Sequence, residues 1–182
     1  MNASTDRLAA AVALAAFLCA GCHTMSDASL PPLELAPAVD IPRFMGDWYV
    51  IANIPTVFEK GAHSAKESYS LNSDGTIATT FTFRADGFEG TPKAYHSKGI
   101  VLGEHGAGWG QQYLWPFKAD YRISYVSPAY ETTVITREKR DHVWIMARTP
   151  TIPQADYDRL VEVVARQGYD VAKLERVPQR GG

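Results

Sequence analysis

The chain has 182 residues, 46% of them hydrophobic and 21% charged, which suits one globular domain and excludes a disordered chain. A net charge of −2 argues against a nucleic-acid-binding surface. The only cysteines, Cys19 and Cys22, both lie near the N-terminus and exclude a zinc module or a disulfide scaffold.

The first segment reads as an address. Residues 8–20 carry no charge. The run is too short for a membrane span, which needs about 20 residues, and it suits the apolar core of a secretory signal. It ends in Ala20-Gly21-Cys22. An ordinary cleaved signal is one reading. The other is that small-small-Cys resembles the lipobox of bacterial lipoproteins, which are cut before the Cys and lipidated on it. That resemblance implies a signal peptide over 1–21 and a lipid anchor on Cys22. His23 stands where Asp would resemble an inner-membrane retention signal, so the outer membrane is the expected address. Residues 22–40, with scattered Ser and Pro, read as a flexible tether. The folded domain is expected over 41–182.

Short β-rich runs then alternate with turn signals. The runs are 48–54, 68–71, 77–83, 99–102, 112–117, 121–126, 132–136 and 143–147. Asn72-Ser73-Asp74-Gly75 marks a hairpin. Four glycines within residues 103–110 read as a loop. About eight strands spaced by roughly 8–12 residues fit a sandwich or an up-and-down barrel. Ile77, Phe81 and Phe83 share one face of their strand, and Tyr121, Ile123 and Tyr125 share one face of theirs. In the run 143–147 both faces are apolar, so the outer one needs a cover. Residues 151–154, Thr-Ile-Pro-Gln, have capping-box spacing, and Tyr157, Leu160, Val161 and Val164 form one apolar stripe. A helix of about four turns ending at Gly168 supplies the cover. Residues 171–174 are expected to add a short closing strand.

Three motifs in order carry a family resemblance. Gly46-Asp47-Trp48 resembles the Gly-x-Trp opening of lipocalins, Asp120-Tyr121 their middle motif, and Arg148 in the run 144–150 the arginine that lies across that Trp. The stretch 46–177 is similar to bacterial outer-membrane lipocalins and their apolipoprotein D-like relatives. The resemblance implies an all-β fold: an eight-stranded antiparallel up-and-down β-barrel, or calyx, with one C-terminal α-helix packed outside. It also implies structural roles for Gly46, Trp48 and Arg148 at a closed end. An Arg over a Trp face contributes about 0.5–2 kcal/mol depending on burial.

The same pair fixes which strand faces point inward. Val50, Phe81, Phe83, Tyr121, Ile123, Trp144 and Met146 are then the expected ligand-binding lining, and Tyr69, Tyr95, Tyr121 and Tyr125 are candidates to bond a head group near the mouth. The five His residues stand apart, and no Gly-x-Ser-x-Gly or nucleophilic Cys occurs. No catalytic residue, metal or cofactor is therefore assigned. The implied function is a lipid-binding protein holding a fatty acid or lysophospholipid for envelope lipid storage, transport or maintenance. Its implied place is the outer membrane, held by its lipid anchor with the barrel facing the periplasm. A lipocalin-type enzyme, or a pigment or haem carrier, is the alternative. A homodimer is left open.

Overall fold

A computed structural model describes residues 30–114 and 116–180. The expected signal peptide, Cys22 and the start of the tether lie outside the described residues. Eight antiparallel strands follow one another around a closed sheet: β1 (Gly46–Ile54), β2 (Ala62–Leu71), β3 (Ile77–Ala85), β4 (Pro92–Leu102), β5 (Gly108–Leu114), β6 (Phe117–Val126), β7 (Thr132–Thr136) and β8 (Val143–Ala147). β1 pairs with both β8 and β2, which closes the barrel and decides between the two architectures left open by the strand pattern. A ninth strand, β9 (Glu175–Arg176), adds to β1 beyond its pairing with β2. An eight-stranded barrel has an interior wide enough for side chains or one small ligand.

Alternation along the strands sorts the apolar residues into two clusters. Trp48, Val50, Phe81, Phe83, Trp109, Tyr121, Ile123, Ile135 and Met146 fill the interior. Ile51, Ala52, Val134, Val143, Ile145 and Ala147 face outward and meet Leu160, Val163 and Val164 of α2 (Gln154–Arg166). Parity changes once within β1. The register slips between Val50 and Ala52, so Ile51 and Ala52 both join the outer cluster and Asn53 comes opposite Trp144.

The helix is present and covers β7 and β8, but its start differs from the expected capping box. Pro153 occupies the N-cap, and its carbonyl accepts from Asp156 N (3.0 Å) and Tyr157 N (3.1 Å). Thr151 stands two residues too early, and no side chain caps the helix. Gly168 stops it with φ +84°, a conformation that costs glycine little. The expected strand at 171–174 is instead a 3₁₀ turn, Val171–Lys173, started by the Asp170 carboxylate accepting from Ala172 N (3.1 Å). Pairing resumes only at Glu175.

The expected tether is also shorter than the sequence reading had it. Ala36 and Val39 are buried, and Ala36 N and Val39 N donate to Ile123 O (2.9 Å) and His105 O (2.8 Å). Glu34 and the Gln167 side chain exchange two hydrogen bonds of 3.0 Å. Residues 31–40 thus form a strap against the barrel.

Candidate ligand-binding site

One end of the barrel is sealed. Between Asp40, whose side chain accepts from Arg43 N (3.2 Å), and β1 lies a single turn, α1 (Ile41–Phe44). It drops Phe44 into the barrel, fully buried, with ring centroids 4.9 Å from Trp48, 5.5 Å from Trp109 and 5.7 Å from Tyr69. Trp48 Nε1 donates to Phe44 O (2.8 Å) and Trp109 Nε1 to Gly106 O (2.8 Å), so neither indole leaves a buried donor unpaired. The Arg148 guanidinium lies 3.8 Å over Trp48. Its N–H groups donate to Asp47 O (2.9 Å), Arg43 O (2.8 Å) and Tyr130 O (3.2 Å). Gly46 beside it has φ +93°, and a Cβ there would meet Arg148 Nη1 at 3.4 Å. Asp120 pairs with Arg122 (2.7 Å) and accepts from Glu138 N (2.7 Å), which ties β6 to the β7–β8 turn.

The other end is built from loops. Topology brings the β1–β2, β3–β4, β5–β6 and β7–β8 connections together there. Exposed apolar residues gather on it: Val57 and Phe58 in the β1–β2 loop, and Phe117 at the start of β6. An aromatic wall leads inward. Phe58 lies 6.4 Å from Tyr95, Tyr95 stacks on Phe83 (6.1 Å, 17°), and Phe83 is 5.2 Å from Phe81. Tyr113 of β5 keeps 60% of its surface. Burial of its hydroxyl, and then the charges on Glu67 and Glu59, raise its pKa.

All seven expected lining residues lie on the inward side. Val50, Phe81, Phe83, Tyr121, Ile123 and Met146 belong to the interior cluster, and Trp144 packs against it half-buried. The tyrosines are redistributed. Tyr69 and Tyr121 sit at the sealed floor with hydroxyls 2.6 Å apart, Tyr95 is at the mouth, and Tyr125 packs with the outer cluster. A bulge before Tyr125 turns it out.

The interior also holds acids that the sequence reading passed over. Glu67 of β2 lies in register with Trp48 and Phe81 and retains 9% of its surface. It accepts from the Tyr69 hydroxyl. Burial, reinforced by the charge on Glu59, pushes its carboxyl up to about 8. Glu59 comes from the β1–β2 loop, 7% exposed, and accepts from Trp144 Nε1 (2.8 Å) and Thr56 N (2.8 Å). The available signal was the inward parity of Glu67 between Ala65 and Tyr69. Among the described residues, no group of three or more His, Cys, Asp and Glu is arranged to hold a metal ion.

Residues 39–179 match the model of the lipocalin-like domain. Temperature-induced lipocalin-1 of Arabidopsis thaliana is 30% identical over 154 residues, 81% of this chain and 83% of that protein. Outer membrane lipoprotein Blc of Escherichia coli (strain K12) is 29% identical over 175 residues, 94% of this chain and 96% of that protein. Among solved structures, insecticyanin of Manduca sexta superposes with a TM-score of 0.64 at 11% identity, covering 81% of this chain and 84% of that one.

Proposed function

This chain belongs to the lipocalin family, and from that premise we propose that its barrel holds one single-chain lipid, a fatty acid or lysophospholipid, for storage, transport or maintenance of envelope lipids. The observation that supports the reading is the combination of an aromatic floor and inward apolar walls leading to the loop end of the barrel. Apolar walls suit an acyl chain, since each buried CH₂ contributes up to about 0.8 kcal/mol. Lost translational and chain freedom cuts the total to micromolar binding or tighter. The site binds rather than turns over its ligand.

The address completes the reading. Ala20-Gly21-Cys22 after an uncharged run supports cleavage before Cys22 and acylation of it, and a similar protein is named an outer membrane lipoprotein. The barrel is proposed to stand on the periplasmic side of the outer membrane. One acyl chain holds a protein only marginally, so stable anchoring requires more than one.

Native mass spectrometry of gently purified protein, followed by lipid extraction, tests the binding. A single-chain lipid at one per barrel is expected. A bound chromophore, or a barrel that neither carries nor takes up any lipid, overturns the proposal. For the address, Cys22→Ser should abolish fatty-acid labelling and shift the protein out of the membrane fraction. Unlabelled, soluble wild-type protein overturns that part.

A further inference from the structure

The barrel wall has a seam between its first two strands. β2 has ten residues and makes eight pairs with β3, but only four with β1, from Gly46 with Tyr69 to Tyr49 with Lys66. Beyond Tyr49 the two strands part. Both are irregular there: β1 slips register between Val50 and Ala52, and β2 between His63 and Lys66. Ser64, inside the second slip, has φ +51°, a conformation that strains a residue other than glycine.

Residues 177–180 fill the gap. They follow β9 along β1 and reach across to β2. Val177 N donates to Ile51 O (3.0 Å) on one side, and Ser64 N donates to Pro178 O (2.8 Å) on the other. The Gln179 side chain spans the gap by itself, its Nε2 donating to Val50 O (2.8 Å) and to Ala65 O (2.9 Å). The buried Val177 side chain belongs to the interior cluster, together with Ala62 and Ala65. Arg180 then reaches Glu89 and Phe88 O in the β3–β4 loop, through an exposed ion pair that contributes little. One apolar side chain and one amide thus stand where a strand ladder stands between β2 and β3. Neighbouring strands lie about 4.8 Å apart, so with a segment between them β1 and β2 are separated by about twice that. Withdrawal of the segment leaves a slot one strand wide, which admits a single acyl chain. Local opening draws on the least bonded parts of a fold.

We propose that the seam between β1 and β2 is a side port for an acyl chain, and that residues 177–180 are its gate. This rests on the reading of the barrel as a single-chain lipid site and adds a route to it. The chain enters through the wall beside Val50 and Ala65 and reaches the apolar interior without threading the loop end. The gate is shut over an empty and a filled barrel alike. Loosening it therefore speeds entry and exit together and leaves their ratio unchanged.

The test is stopped-flow kinetics of a fluorescent fatty-acid probe with wild type, Gln179→Ala and Leu160→Ala. Gln179→Ala removes the bridging amide and should raise the association and dissociation rates together at least about fivefold, equivalent to about 1 kcal/mol, with Kd changed less than about twofold. Leu160→Ala leaves a cavity in the outer cluster but removes no seam contact, and should leave both rates at their wild-type values. Hydrogen exchange on the ligand-free protein gives a second readout. The Ser64 and Val177 amides should exchange through a local opening, faster than those of the β2–β3 ladder, and faster again in Gln179→Ala. Unchanged probe kinetics in a folded Gln179→Ala overturn the proposal. So do equal acceleration by Leu160→Ala and seam amides that exchange only together with the ladder. A probe that binds none of the three proteins overturns instead the reading of the barrel as a lipid site.

Discussion

Arg148 covers Trp48 at 3.8 Å while donating hydrogen bonds to carbonyls of three separate segments, at Arg43, Asp47 and Tyr130. One side chain therefore ties α1, β1 and the β6–β7 turn over the barrel floor. Burial lowers its pKa, and the charge on Asp47 opposes that shift.

Trp48→Ala should cost about 3–5 kcal/mol, as large aromatic deletions in cores do. Arg148→Ala should cost about 1–3 kcal/mol, chiefly from the carbonyls it leaves unpaired. Because the residues touch, a double-mutant cycle in urea should give a non-zero coupling, on the order of 0.5–2 kcal/mol. A coupling of zero would mean that the stack contributes nothing.

Facing is tested at adjacent positions. Phe83 is 5% exposed and points inward, whereas Thr82 points out, its hydroxyl donating to Lys66 O (3.4 Å). Phe83→Glu should weaken binding of a fluorescent acyl probe at least tenfold, about 1.4 kcal/mol. Thr82→Glu should change it little. Circular dichroism first establishes that both variants fold, and equal binding by the two would reject the facing.

Glu67 sets a pH dependence of stability. Its carboxyl is raised from 4.5 to about 8, so the folded protein holds a proton that the unfolded chain releases. Below about pH 4.5 the group is protonated in both states and costs nothing. The cost grows as pH rises towards 8 and is constant above it, reaching on the order of a few kcal/mol. Glu59, Tyr69, Tyr113 and Tyr121 are the titratable groups that face it. Glu67→Gln should match wild type near pH 4 and be the more stable near pH 9. Parallel melting-temperature profiles across that range would contradict this.

Tyr169 pins the end of the helix to the barrel. Its hydroxyl lies within bonding distance of His142 O (2.9 Å) and Arg137 O (3.1 Å) and accepts from Arg137 N (2.8 Å). Burial pushes the phenol up to about 12. Tyr169→Phe removes only the oxygen and should cost about 1–3 kcal/mol, the range for a buried donor left unpaired. Urea denaturation measures it, and an unchanged midpoint would show that water replaces the hydroxyl.

Much of the barrel was legible because alternation is a local signal. Phe81 and Phe83, or Tyr121 and Ile123, announce an inward face with no knowledge of their neighbours. The failures have physical causes as well. A bulge is a register event between two strands, so neither the outward turn of Tyr125 nor the inward place of Asn53 follows from its own strand's pattern. Trp109 was hidden among glycines that read as a loop, yet it stacks on Tyr121 at 5.1 Å and is fully buried. Thr151 had the right spacing for a cap, but Pro153 took the position. Glu67 looked like any surface acid, because nothing along the chain tells which groups will stand around it once the barrel closes.

The strap of residues 31–40 has a direction. It begins where the Arg140 side chain donates to Pro31 O, in the β7–β8 turn beside the mouth, and it ends at His105 and Phe44 by the sealed floor. Residue 31, where the folded domain begins, thus lies at the rim of the cup and not at its base. On the proposed lipid anchor at Cys22, lengthening the segment ahead of the strap should slow exchange of cargo with a bilayer while leaving equilibrium affinity in solution untouched.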